Sequence, residues 1–93
     1  MPKSGQDHMK SYAVTFPERY RNRPHRSYKA ITPDRYFVID ADNIEDACDF
    51  ATFWFGEAYE AVLEAADAEQ AHPNGLIGRA VVSPGLLSVV HSR

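Results

Sequence analysis

The residues of this chain best able to hold a metal or attack a substrate are four histidines and one cysteine, and their placement argues against both roles. His8, His25, His72 and His91 are scattered, none standing at the spacing of a zinc-ligand motif, and Cys48 has no second cysteine to work with. Cys48 falls at helical spacing from Ile44, Ala47 and Ala51, which predicts a packed thiol rather than a nucleophile. Carboxylates are plentiful. A proton-transfer or glycosidase pair, however, needs two acids held in contrasting environments inside a cleft, and these fall where helical periodicity puts solvated faces. Gly-rich phosphate loops, Gly-x-Ser-x-Gly elbows and His-Glu-x-x-His pairs do not occur in the sequence. The expectation is a chain that is not an enzyme, with no catalytic residues, no metal and no cofactor.

Charge is the more distinctive feature. Residues 1–35 carry eight Lys/Arg against three Asp/Glu, and residues 36–70 carry ten acids and no Lys/Arg, within a net charge of −3. Asp42, Glu45, Asp46, Asp49, Glu57, Glu60, Glu64 and Asp67 form a candidate acidic contact surface for a basic protein partner. Arg19, Arg21, Arg23, Arg26 and Lys29 form a candidate basic contact segment, interleaved with Tyr20 and Tyr28 in a pattern that suits phosphates and stacked bases. A pI near 5.7 and the adjoining acids weigh against nucleic acid. Two arrangements of the halves are open. The basic arm folds over the acidic half, or the two present separate docking surfaces. Internal pairing is the favoured one, and with surface ion pairs worth about 0–1 kcal/mol each it would orient more than stabilise.

The elements that position these residues follow from periodicity. Ninety-three residues allow one domain, assigned to 11–93, with 1–10 read as a disordered tail or cloning remnant because His8-Met9 is what a common cloning site encodes. Tyr12–Phe16 alternates as a short strand closed by Pro17. Residues 18–35 lack a sustained period and read as an ordered loop. Tyr36–Asp40 is the strongest strand, with Phe37 and Ile39 on one face and Tyr36 and Val38 on the other, which suits a central position.

A helix is predicted over about 43–55. Asp42 and Glu45 have the form of an N-cap with an acid three residues on, Ile44, Ala47, Cys48, Ala51, Trp54 and Phe55 form its apolar face, and Gly56 ends it. Phe50 and Phe53 widen that face. They are either buried between the sheet and the C-terminal segment or exposed as a patch for a partner or for self-association, the latter making a homodimer. Residues 57–70 fit a helix or a strand. His72–Gly75 is a turn, Leu76–Val82 a strand and Leu86–Val90 a further short strand. The fold class expected is α+β: a small, mostly antiparallel sheet with one well-capped helix packed on one face.

Val14-Thr-Phe, Tyr20-Arg, Pro24-His25, Pro33-Asp34, Tyr36–Asp42, the capped helix and Trp54-Phe-Gly-Glu-Ala-Tyr59, in this order, resemble a group of small uncharacterised proteins encoded by bacteriophages of actinobacteria. The resemblance covers about residues 11–60 and, more loosely, Pro73–Gly75 and Leu76–Val82. It implies a phage-encoded accessory protein acting in the host cytoplasm, and it carries no catalytic residues. In that group the segment after the Phe-Gly pair is strand-like, from which Glu60-Ala-Val-Leu-Glu-Ala-Ala departs. With no apolar stretch near the ~20 residues of a membrane span, the expectation is a cytoplasmic binding protein. Its partner is a host or phage macromolecule, with nucleic acid held by residues 19–29 as the alternative.

Overall fold

The computed structural model describes residues 9–82. The expectations for residues 1–8 and for Leu86–Val90 lie outside the described residues. Four strands and two α-helices follow one another in the order β1 (Lys10–Thr15), β2 (Tyr36–Ala41), α1 (Ile44–Phe55), β3 (Ala61–Glu64), α2 (Ala65–Ala71) and β4 (Leu76–Val81). One-turn 3₁₀ segments stand at Glu18–Tyr20 and Gly56–Ala58. The strands form one sheet in the order β3-β1-β2-β4. β1 pairs antiparallel with both β2 and β3, while β2 and β4 run parallel. The α+β class and the central position of Tyr36–Asp40 are as the periodicity predicts.

The two-residue period of β1 and β2 separates two apolar clusters. Tyr12, Val14, Ile39 and Ala41 face one way and pack with Ala47 and Ala51 of α1, Phe16, Ile31 and Val82. Ala13, Tyr36 and Val38 face the other way and pack with Leu63, Ala65 and Ala68 at β3 and α2. The sheet is therefore covered on both faces, where the sequence led us to expect a helix on one. Fully burying a Val or Ile side chain contributes about 1.5–3 kcal/mol, and Val14, Ile31, Ile39 and Val82 are all on the α1 side. The largest fully buried side chains among the described residues thus stand on that face.

Local signals set the helix ends. The N-cap of α1 is Asn43, whose Oδ1 accepts from the Asp46 backbone N–H at 2.8 Å. This corrects the assignment of Asp42 and Glu45 by one residue. Both side-chain types cap well, and the choice falls to the extended backbone that Asn43 takes on leaving β2. Gly56 ends the helix with φ at 61°, a conformation glycine adopts without a Cβ clash, and its N–H donates to the Thr52 carbonyl.

Residues 57–70 divide between their two readings. Ala61–Glu64 is a strand because β1 offers it a partner, and the Ala-rich stretch after it is helical. At the turn before β4, Gly75 sits against the Asp34 carbonyl where a Cβ has no room, and its own carbonyl accepts from the Tyr36 N–H at 2.9 Å.

Candidate functional site

The basic segment is a folded loop whose cations differ in availability. Arg21 is consumed locally, donating to Glu18 at 2.9 Å and to Asp34 at 3.0 Å. Both hydrogen bonds push its guanidinium higher still, and the one to Glu18 holds that carboxyl below its usual range. Arg19 lies over the Tyr20 ring, 4.8 Å from its centroid. His25 forms the loop's hinge: its Nδ1 accepts from the Ser27 and Tyr28 backbone N–H groups at 3.0 and 3.1 Å, and its ring packs edge-on to Tyr20. Arg23, Arg26 and Lys29 are exposed and make no ion pair with any described residue.

None of the eight candidate acids meets these cations in an ion pair. Among the described residues the ion pairs are Arg21 with Glu18 and Asp34, and Arg79 with Asp40, so the expected pairing of the basic segment with the acidic half is not seen among them. Glu45, Asp49, Glu57, Glu60, Glu64 and Asp67 are exposed, and Asp42 and Asp46 half-buried. They do not form one surface. Glu45, Asp46 and Asp49 share α1, Glu57 follows its end, Glu60 and Glu64 bracket β3, and Asp67 lies on α2 across the sheet.

The apolar face of α1 is narrower than its period predicts. Ala47 and Ala51 are buried and Cys48, Phe50 and Phe55 half-buried, but Ile44 is exposed, and so are Phe53 at 59% and Trp54 at 50%. This corrects the placement of Ile44 and Trp54 in the core. Burial, with Asp49 and Glu45 nearby, pushes the Cys48 thiol upward and so favours its neutral form. Trp54 stacks on Phe50 at 5.7 Å between centroids and walls an apolar cleft of about 200 Å³ shared with Tyr28, Ile31, Phe37 and Ile77. The cleft joins the end of α1 to the basic loop. Trp54 on its rim is the functional-looking residue that helical periodicity puts in the core, and the signal that marks it is the excess of aromatics over the arc one helix can bury.

The opposite face holds a polar cluster that local sequence could not reveal. Arg79 on β4 donates to Asp40 on β2 at 2.8 Å and to Ser11 Oγ on β1 at 3.2 Å, while Ser11 donates to Asp40. The Arg79 bond, followed by the Ser11 bond, outweighs burial and holds the Asp40 carboxyl below its usual range. A wider cleft of about 400 Å³ opens beside it, lined by Tyr36, Val38, Ala65, Glu69 and Arg79. Ser11 has no base within this cluster, because a carboxylate already paired with arginine is a poor proton acceptor. Among the described residues no three His, Cys, Asp or Glu side chains converge as metal ligands, and no helix is long and apolar enough to cross a membrane. Of the four histidines, His8 and His91 lie outside the described residues.

No protein family, curated protein or solved structure matches this chain.

Proposed function

We propose that this chain is a non-catalytic binding protein, a phage-encoded accessory protein of the host cytoplasm that docks a basic protein partner through α1. One observation carries the reading: Glu45 and Asp49 are exposed and free of cation partners among the described residues, on the helix that also exposes Phe53 and Trp54. Aromatic anchors beside unneutralised charge are the composition of a protein interface, where tryptophan supplies affinity and charge supplies steering. The phage origin rests on the sequence resemblance.

Affinity capture from an actinobacterial host lysate, at low and moderate salt, tests the proposal. Wild type retains a basic protein. Glu45→Lys with Asp49→Lys lowers its recovery by about ten-fold, as reversing interfacial charges does. A chain that retains nothing, or one indifferent to the substitutions, overturns the reading.

A second reading is favoured by the cleft: Arg23, Arg26 and Lys29 lie on the loop that places Tyr28 opposite Trp54, and cations beside exposed rings suit a single-stranded nucleic acid. Fluorescence anisotropy with single-stranded DNA and RNA at low salt checks it. Arg23→Glu and Arg26→Glu then each weaken binding and lower the salt slope by about one, and absence of binding at low salt ends it.

A further inference from the structure

The basic loop is clamped at its ends and latched in its middle by a single ring. Arg21 ties the ends together by donating to both Glu18 and Asp34, and the buried Ile31 anchors the return toward β2. Between Arg21 and Ile31, hydrogen bonds among the described residues come from two places. The Ile31 N–H donates to the Tyr28 carbonyl at 3.0 Å, and His25 Nδ1 accepts from the Ser27 and Tyr28 N–H groups at 3.0 and 3.1 Å. A side-chain acceptor serving the N–H groups two and three residues on is how Asn, Asp or Ser closes a turn. Here an imidazole takes that place.

The substitution matters because imidazole changes charge between pH 5 and 8 and an amide does not. The neutral ring accepts at Nδ1 when its hydrogen is on Nε2. The imidazolium carries a hydrogen on both nitrogens, so neither orientation of the ring offers an acceptor, and Ser27 and Tyr28 lose their partner together. The ring packs edge-on to Tyr20 at 5.3 Å and tilted to Tyr28 at 5.7 Å. The charged groups around it are cations: Arg19 over the Tyr20 ring, Arg23 and Arg26 on either side of His25 in sequence, and Lys29 after Tyr28. The acids at the ends of the loop, Glu18 and Asp34, are both engaged by Arg21.

We propose that His25 is a proton-operated latch: its neutral ring holds residues 25–28 in a turn, and a proton on Nδ1 releases that turn together with the Tyr28 wall of the cleft shared with Trp54. The sign follows from the acceptor. The latch is closed at the higher pH and opens as pH falls through the range in which imidazole takes up its proton. The bonds of Arg21 and the burial of Ile31 do not depend on the ring, so the change stays within the loop and is not an unfolding of the domain. Whatever occupies the cleft then meets Tyr28 held at one pH and free at another. The inference concerns the chain alone and rests on neither reading of its partner.

A nuclear magnetic resonance titration of the full chain between pH 8 and pH 5 is the test, with the fluorescence of Trp54, the one tryptophan, followed in parallel. At pH 8 the imidazole nitrogen shifts place the hydrogen of His25 on Nε2. The amide signals of Ser27 and Tyr28 then move with the same midpoint as the His25 ring, the Trp54 fluorescence follows them, and amides of β1 and β2 stay where they are. His25→Asn, which keeps an acceptor that does not titrate, holds the pH 8 fluorescence across the range. His25→Ala, which has no acceptor, gives the low-pH fluorescence at every pH with an unchanged circular dichroism spectrum. A neutral ring with its hydrogen on Nδ1 overturns the proposal. So do Ser27 and Tyr28 amides that ignore the titration of the ring, and so does a His25→Ala chain that matches wild type at pH 8. A His25→Asn chain that keeps the full pH response overturns it equally, and would point to His72 instead.

Discussion

Under α1 the sheet presents Val14, Ile39 and Ala41, all fully buried, whereas under α2 it presents Ala13 and Val38 beside the hydrogen-bonded Ser11, Asp40 and Arg79. The first face is closed by a twelve-residue helix with a side-chain cap at its start. The second is closed by a seven-residue helix whose N-cap, Glu64, makes no capping bond, and a cleft of about 400 Å³ opens at its side. One sheet thus has a face that holds the fold together and a face that tolerates solvent. Burial of branched apolar side chains dominates the first, while the second relies on polar pairing near water, which contributes little per contact.

The sharpest way to break this comparison is to truncate adjacent residues of β2 that point to opposite faces. Ile39→Ala is expected to cost about 2–5 kcal/mol, because a fully buried side chain leaves a cavity the neighbours only partly fill. Val38→Ala is expected to cost about 1.5 kcal/mol, the transfer term for two carbons, since the adjoining cleft admits water and leaves no empty cavity. Urea unfolding of both variants checks the pair, and equal losses would mean that the faces are not different in kind.

The helix ends come next. Asn43→Ala should lower stability by about 1 kcal/mol and Asn43→Asp should be close to neutral, while Asp42→Ala, outside the cap, should stay within about 0.5 kcal/mol of wild type. Replacing Glu64, which makes no capping bond, by Ser should stabilise α2 rather than weaken it, as read by thermal unfolding.

The polar cluster gives a smaller, pH-dependent effect. The Asp40 carboxyl titrates lower in the folded chain than in the unfolded one, so its contribution is complete above the unfolded value and disappears as pH falls through the folded one. Stability should therefore decline below about pH 4, and Asp40→Asn should flatten that part of the curve at a cost near neutral pH of no more than about 1 kcal/mol.

The smallest effect tests the margin of the α1 face. Burial holds the Cys48 thiol neutral, so a disulfide reagent near pH 8 should label it several-fold more slowly in the folded chain than in urea. Equal rates would place Cys48 with the exposed residues of α1.

Much of the architecture was legible in the residue order, and the misses have a common cause. β1, β2 and β4 show the alternation or apolar run of a strand, and α1 has a cap, a helical period and a terminal glycine. The cap moved from Asp42 to Asn43 because neighbouring residues with equivalent side chains compete, and the exit angle of β2 decides between them. Periodicity puts Trp54 in the core because it gives a residue's angle on a helix without saying which arc the sheet will cover. Closeness in sequence groups the eight acids, yet the strand order β3-β1-β2-β4 sends Glu60 and Glu64 to one edge and Asp67 to the other face.

What the sequence determined by itself is what depends on neighbours within a few residues: the strands' alternation, the start and stop of α1, the turn at Gly75 and the segregation of charge. Only the tertiary structure decided where those charges end up, that residues 61–64 become a strand on the free side of β1, and that Ser11, Asp40 and Arg79 meet across three strands. Hydrogen bonds between elements and the burial of one face against another are made across gaps of 29 to 68 residues in that cluster, and no local propensity records them.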